Sequence, residues 1–220
     1  GVITIPYYSG IPSAENPVAP LIDFWTAEPG AYIPPFNQLQ PPLDPTSTNI
    51  TIANPFPVVT GMQTVPVIVT IPSALTGMTK PPGGWPVVIS GHGLGGNRAN
   101  VLGLADTLAA GGFAGVAIDF PLHGITPQNA ALSPLYIGNT QFAEMANERT
   151  FNVDYINNRT GAPGPDGIVD ESGTHALNFQ EYRTSRDNVR QGIIDLSVLA
   201  SSLANFDLDG DSVGDLRPFN

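Results

Sequence analysis

Apolar residues along this 220-residue chain change their spacing several times, and each spacing predicts a different element. The β-branched run that begins near residue 63 and ends in proline is typical of a strand. Short apolar runs at 86–90 and 113–120 predict strands buried on both faces of a sheet. Between them, residues 97–111 carry apolar positions at helical spacing and end in glycine. Strand, helix and strand within roughly 35 residues indicate a right-handed βαβ unit.

A second helical pattern covers residues 184–204. Thr184, followed three residues later by Asp187, is typical of a capping box, so we expect the helix to begin there. The apolar positions of this helix predict one stripe that faces the core. The stripe consists of Val189, Ile193, Leu196, Ala200 and Leu203.

Two regions lack a clear period. Residues 1–62 are rich in proline and predict loops, so regular structure is expected only from about residue 63. Large aromatic side chains lie among these prolines, which favours an extension that wraps around a domain at 63–220. The aromatic residues are Phe24, Trp25, Tyr32 and Phe36. Residues 121–180 form a long insertion, with short helices expected near 141–149, of the kind that covers a binding site.

Composition narrows the classes of protein. The net charge of −11, with Lys80 as the single lysine, argues against nucleic acid as a partner. Such a surface is typical of a secreted or salt-exposed protein, and general solubility explains it equally well. No apolar run approaches the roughly 20 residues of a membrane span. The absence of cysteine excludes disulfides, a thiol nucleophile and a thiolate metal site.

The stretch "SGHGLGGNR" at 90–98 is the strongest chemical signal. With serine in place of Gly93 it would be a nucleophile elbow, the strand-to-helix turn that presents a catalytic serine. Glycine has no oxygen for attack, so one interpretation is a catalytically silent elbow. A second is a strand-to-helix loop whose backbone amides stabilise an oxyanion. A third is a glycine-rich turn without function.

Five stretches, taken in order, resemble the bacterial virulence-factor-type extracellular lipases, which are α/β-hydrolases with an extended N-terminal region. They are "IPYYSGIPSAENPVAPLIDFW", "GHGLGGNR", "DTLAAGGFAGVAIDFPLHGIT", "ERTFNVDYINNRTGAPGPDGIVDESGTH" and "TSRDNVRQGIIDLSVLASSL". The resemblance implies an α/β fold with an α/β-hydrolase-type, mostly parallel sheet that is incomplete in this chain. It also implies a secreted or surface-displayed lipase or esterase that uses a Ser–His–Asp triad and acts on lipid or ester substrates, with peripheral contact to a lipid surface.

The resemblance places the oxyanion loop at His92, Gly93 and Leu94. The Leu94 N–H is the implied donor, Gly93 sets the backbone, and the His92 side chain orients the loop rather than acting as base. Asn97 and Arg98 brace the loop, although a helix cap is an equal alternative for Asn97. The insertion at 121–180 would then form a lid or an acyl-chain pocket.

The family order puts the nucleophile after the 184–204 helix and one further strand. The triad is therefore expected beyond Asn220, on a companion chain that forms the C-terminal remainder of a nicked or truncated enzyme. Few parallel strands would otherwise leave an unpaired sheet edge. Asp119, His123 and His175 are not expected to be catalytic. The rival interpretations are a silent lipid- or carbohydrate-binding module and a calcium-stabilised structural module.

Acidic residues near the C-terminus alternate as in calcium-binding loops, whose ligands are hard oxygens. They are Asp207, Asp209, Asp211 and Asp215, and they predict a structural Ca²⁺ site, although the chemistry itself requires no cofactor. A second acidic turn contains Asn157, Asp166 and Asp170. Solvated acidic loops are the alternative for both. Glycosylation sequons begin at Asn49 and Asn158, a triplet that is common by chance.

Overall fold

The computed structural model describes residues 1–217 and contains one mixed sheet of five strands. The strands are β1 (Val2–Tyr7), β2 (Gly61–Thr70), β3 (Trp85–Ile89), β4 (Ala114–Ile118) and β5 (Leu216–Arg217). The α-helices are α1 (Ala19–Ile22), α2 (Ala105–Ala110) and α3 (Tyr182–Ser202). The expected break in the polypeptide, beyond Asn220, lies outside the described residues.

The spatial order of the strands is β1-β2-β4-β3-β5. β2 pairs antiparallel with both β1 and β4, whereas β3 pairs in parallel with both β4 and β5. The α/β class is thus confirmed, but the expectation of a mostly parallel sheet is wrong, because two of the four pairings are antiparallel. The order is compatible with an α/β fold and is not specific to the α/β-hydrolases.

The first strand corrects the expectation that regular structure begins near residue 63. In β1, Ile3, Ile5 and Tyr7 alternate with more exposed residues, which is the two-residue period of a strand with one buried face. The dense prolines that follow conceal this short signal. β1 lies at the outer side of β2 and adds two isoleucines to the core.

The core lies between the sheet and the C-terminal half of α3. It contains buried side chains from all five strands and from the end of the helix. Its members include Ile3, Ile5, Val65, Val67, Trp85, Val87, Val116, Ile118, Leu199, Leu203 and Leu216.

Polar residues of α3 hold the segment that includes and follows the end of β1. The Trp25 side chain is buried, and its backbone N–H donates to Asp187 Oδ2 at 2.9 Å. Gln191 accepts from the Tyr8 N–H at 3.0 Å and donates to the Pro6 carbonyl at 2.9 Å. The N-terminal segment is therefore attached by backbone hydrogen bonds to side chains that come late in the chain.

These contacts overturn two expectations about α3. The helix begins two residues before Thr184, with the Glu181 carboxylate accepting from the Arg183 N–H at 3.0 Å, so the proposed capping box is wrong. The apolar stripe faces the core only at its end, because Val189 and Ile193 are 59% and 61% exposed. The first half of the helix buries a polar face instead, since the N-terminal segment needs hydrogen-bond partners.

The other predicted helices are shorter than expected. The pattern at 97–111 forms a 3₁₀ helix at Arg98–Leu104 followed by α2. Residues 141–149 contain turns rather than the expected helices, and the insertion has short 3₁₀ helices at Ala130–Leu135 and Ile137–Asn139. One reason is that Glu148 and Arg149 are buried and make ion pairs with other segments, which fixes the local backbone.

Candidate functional site

The loop at 90–96 follows β3 directly, so it lies at the carboxyl ends of the two parallel strands β3 and β4. Open α/β sheets bind ligands at this edge. The Ser90 N–H donates to the Val116 carbonyl at 2.8 Å, which continues the pairing between strands into the start of the loop. The sheet thus fixes where the loop begins.

His92 uses both ring nitrogens within the protein. Its Nε2 accepts from the Phe120 N–H at 3.1 Å, so the proton lies on Nδ1, which donates to the Gly93 carbonyl at 2.9 Å. The ring is buried and lies 4.7 Å from the Phe120 ring, centroid to centroid. Both ring nitrogens therefore bond to the backbone, which fixes the orientation of the ring against the loop.

Three consecutive backbone amides of the loop are unpaired. Within residues 1–217, the N–H groups of Gly93, Leu94 and Gly95 donate to no acceptor. The Gly96 N–H donates to the Gly93 carbonyl at 2.9 Å and closes the turn, with Gly95 at φ +77°. Successive free amides in such a turn form a concavity that favours negative charge.

An apolar pocket of about 340 Å³ adjoins the loop. Its main side chains come from the loop, from the residues after β4, from the insertion and from α3. They are Leu94, Phe120, Leu177, Val189, Ile193 and Leu196. The exposed part of the α3 stripe therefore lines a pocket beside the free amides. The sequence pattern had instead predicted that this part of the stripe faces the core.

Glycine at two positions allows Phe120 to form one wall of this pocket. A Cβ atom at Gly192 would lie 3.0 Å from Phe120 Cδ1, and one at Gly91 would lie 3.2 Å from Phe120 Cζ. The ring is therefore held closely between the loop and α3. This requirement explains a glycine in the middle of a long helix, where glycine is otherwise unfavourable.

Arg98 braces the loop from inside the protein. Its backbone N–H donates to Asp119 Oδ1 at 2.6 Å, and its guanidinium pairs with the other oxygen of Asp119. The same guanidinium donates to both carboxylate oxygens of Glu148, at 2.7 and 2.8 Å. Asn97 instead accepts from the Ala99 N–H at 3.0 Å, which is the helix-cap alternative. Asp119 is thus occupied by Arg98, as a structural carboxylate.

His123 lies beside His92, with ring centroids 4.7 Å apart, and lines the pocket. Its Nδ1 donates to the Pro121 carbonyl at 2.9 Å, and burial lowers the pKa of the imidazole. Within residues 1–217, Nε2 has no hydrogen-bond partner and no hydrogen bond joins His123 to Asp119. The two residues therefore do not form an acid–base dyad.

The insertion reaches the loop through a serine that sequence reasoning did not select. The Ser172 hydroxyl donates to the Gly96 carbonyl at 2.6 Å and accepts from the Gly124 N–H at 3.1 Å. No motif or spacing in the sequence marks this residue. The same insertion supplies Leu177 to the pocket.

In the second acidic turn, the side-chain oxygens of Asn157, Asp166 and Asp170 bond to separate partners and do not converge on one point. Asp170 accepts from the Tyr155 N–H at 2.6 Å and pairs with His175 Nε2 at 2.7 Å. Asp166 accepts from the Asn158 N–H at 2.8 Å, whereas Asn157 caps its own turn. The Asn158 sequon amide donates to Asp166 and to the Ile168 carbonyl, while Asn49 is exposed.

The C-terminal acidic loop gathers three of the four expected carboxylates. Oxygens of Asp207, Asp209 and Asp215 lie within 4.8 Å of one another, whereas the Asp211 carboxylate caps the Val213 N–H at 2.8 Å. The Lys80 ammonium pairs with Asp215 and lies 3.2 Å from Asp209. A cation of the protein itself therefore already balances part of this charge.

One G-x-S-x-G pentapeptide does occur, at 210–214 with Ser212 at its centre, and the resemblance does not use it. Ser212 has φ +66° and is exposed, but the pentapeptide precedes β5, whereas an elbow lies between a strand and a helix. Trp85 and Leu216 pair at the amino ends of β3 and β5. Ser212 therefore lies at the opposite edge of the sheet from the loop at 90–96.

Comparisons with protein-family models, with curated proteins and with solved structures find no match to this chain. Among residues 1–217, no helix has the length and apolar character needed to cross a membrane. The candidate site therefore rests on its own geometry: a braced loop with free amides beside an apolar pocket.

Proposed function

We propose that this chain supplies the oxyanion loop and the apolar substrate pocket of a carboxylic ester hydrolase of the α/β-hydrolase type. One observation carries the proposal. The unpaired amides of Gly93 and Leu94 lie at the carboxyl end of β3, and both residues line a pocket with apolar walls. Such a combination suits an ester whose carbonyl oxygen becomes negative while its acyl chain is held away from water.

In this mechanism a serine attacks the ester carbonyl, a histidine takes the serine proton and passes it to the leaving alcohol, and the loop amides stabilise the tetrahedral oxyanion. The Leu94 N–H is the principal donor. His92 keeps the loop in place and carries no proton in the reaction. The serine, the histidine and the acid of the triad belong to a companion polypeptide, the C-terminal remainder of the same protein.

The free edge of the sheet supports a companion. β5 is the edge strand of the sheet, and within residues 1–217 its outer side pairs with no other strand. A strand from the companion would continue the sheet there. The acidic surface and the exposed apolar rim of the pocket, including Leu94 at 67% exposure, favour a secreted protein that works at a lipid surface.

Intact-mass spectrometry with a fluorophosphonate probe tests this proposal. The protein would be purified under native conditions, labelled, and measured before and after denaturation. A second polypeptide that co-purifies and carries the label is the expected result. A folded chain that purifies alone and carries no label would contradict the proposal that this protein is an enzyme.

The apolar pocket also favours a second candidate, a silent lipid-binding module, because binding needs no serine. This candidate predicts saturable binding of a single-chain amphiphile while every co-purifying polypeptide stays unlabelled. Structural Ca²⁺ at Asp207, Asp209 and Asp215 is a separate proposal, supported by their convergence. It is tested by thermal unfolding with Ca²⁺ and with a chelator, and equal midpoints would contradict it.

A further inference from the structure

We infer that Ser172 is a positioning residue for the oxyanion loop, so that the insertion holds the catalytic backbone from behind as well as lining the pocket. The inference rests on the proposed function, because it concerns how the free amides of that site are kept in place. Ser172 itself does not line the apolar pocket.

The Ser172 hydroxyl joins two segments that meet at the loop. It donates to the Gly96 carbonyl at 2.6 Å and accepts from the Gly124 N–H at 3.1 Å. Gly96 closes the turn through its own N–H to the Gly93 carbonyl. One hydroxyl therefore connects the end of the loop to the segment that follows β4, on which the His92 ring also rests.

The next residue completes the support. A Cβ atom at Gly173 would lie 2.6 Å from the Gly95 nitrogen and 2.7 Å from His123 Nε2, so the backbone of Gly173 lies directly against the loop. The Gly173 N–H donates to the Leu122 carbonyl at 2.9 Å, which fixes its position. Ser172 and Gly173 together cover the side of the loop formed by Gly95.

Such support matters because the loop is poor in intrinsic stiffness. Three of the four residues from Gly93 to Gly96 are glycine, which loses more conformational freedom on folding than any other residue. Amides stabilise a developing oxyanion only when they are already oriented before the charge forms. Because the amides of Gly93, Leu94 and Gly95 donate no hydrogen bond within residues 1–217, their orientation depends on contacts such as that of Ser172.

The test uses the protein as purified under native conditions, with any companion polypeptide, and compares two substitutions of Ser172 with one matched control. Ser172→Ala removes the hydroxyl, and Ser172→Thr keeps it at a partly exposed position. Ser185→Ala is the control, because its hydroxyl also bonds two backbone groups of the insertion, at Asn178, without touching the loop. The readouts are NMR order parameters of the Leu94 and Gly95 amides and the affinity for n-octylphosphonate, an anionic probe with an apolar chain.

In Ser172→Ala we expect the two order parameters to fall from about 0.85 towards 0.6 and the Kd for n-octylphosphonate to rise about tenfold. Ser172→Thr and Ser185→Ala should match the unsubstituted chain in both readouts, even if Ser185→Ala lowers the melting temperature as much as Ser172→Ala does. Unchanged order parameters in Ser172→Ala, or an equal fall in Ser185→Ala, would overturn the inference.

A different pattern would separate this inference from the proposed function. If the unsubstituted chain does not bind n-octylphosphonate, the role of the loop as an anion-stabilising site fails. The order parameters then still decide whether Ser172 positions the loop, since they are measured without a ligand.

Discussion

At the scale of single residues, the site depends on a buried cation. Arg98 lies between the carboxylates of Asp119 and Glu148, and all three side chains are buried. In Arg98→Met both carboxylates would lose their counter-charge while staying out of water. We expect the free energy of unfolding, measured with urea, to fall by about 3–5 kcal/mol.

The control for Arg98 is an arginine on the surface. Arg183 is about half exposed and pairs with Glu181. Hydrogen bonds from Arg183 lower the pKa of the Glu181 carboxyl to about 2. Arg183→Met should change the urea midpoint very little, because exposed ion pairs are screened by water. Equal losses in Arg183→Met and Arg98→Met would contradict the interpretation of Arg98 as a buried brace.

Gly173 provides a second test at this scale. In Gly173→Ala the new methyl group meets the Gly95 nitrogen and His123 at less than 3.0 Å, in addition to the strain of φ +77°. Gly167→Ala is the control, since Gly167 has φ +82° and no atom within 4 Å of an added Cβ. The control should lose about 1 kcal/mol of unfolding free energy from backbone strain alone, and Gly173→Ala clearly more.

The shifted titration of His123 leads to a prediction about pH. Burial is the main reason that its pKa is lowered in the folded protein, and the hydrogen bond with the Pro121 carbonyl and the charge of Asp119 oppose this effect only in part. Between that pKa and about 6.5 the unfolded chain binds more protons, so stability falls as the pH is lowered through this window.

His123→Asn removes this titration and can keep a donor for the Pro121 carbonyl. Urea unfolding between about pH 5 and 7 should therefore show a smaller loss of stability towards acid than in the unsubstituted chain. Parallel pH profiles for the two proteins would show that His123 does not titrate as its burial implies.

At the scale of elements, α3 has two apolar surfaces with different roles. Leu199 is buried in the core, whereas Ile193 is 61% exposed and lines the pocket. Leu199→Ala should cost about 2–5 kcal/mol of unfolding free energy, and Ile193→Ala less than about 1 kcal/mol. A large cost at Ile193 would mean that this face of the helix is covered in solution.

The same helix shows how far the sequence predicts the fold. Its existence follows from the spacing of apolar residues, but its orientation does not, because Asp187, Gln191 and Asp195 are buried only as partners of distant groups. β1 escaped prediction for a related reason. Its strand pattern is short, and its partner β2 lies about 60 positions later in the sequence. Local sequence patterns do not predict contacts between residues that are so far apart in the chain.

At the scale of the whole molecule, the candidate site is only partly predictable. His92, Gly93 and Leu94 follow from a glycine-rich turn after an apolar strand, and Arg98 lies beside them in the sequence. Ser172, Leu177 and the exposed half of α3 reach the site through folding alone. Their residue types are ordinary, so no spacing distinguishes them from surface residues.

Net charge gives a prediction for the entire protein. The excess of 19 acidic over 8 basic residues places like charges close together on a small surface. Screening of this repulsion should raise the melting temperature when NaCl increases from about 0.05 to about 0.5 M. The melting temperature is measured in the presence of a chelator, so that no divalent cation contributes. A melting temperature that falls as NaCl increases would contradict the prediction.

The attachment of the first residues to the last helix sets an order of events during synthesis. Pro6 and Tyr8 bond to Gln191, which is translated more than 180 positions later. At about 5–20 residues per second, the ribosome needs roughly 10–40 s before that partner exists. Throughout this interval the leading segment has no native anchor on α3, and its only native strand pairing among residues 1–217 is that of β1 with β2, which is translated about 60 positions after β1.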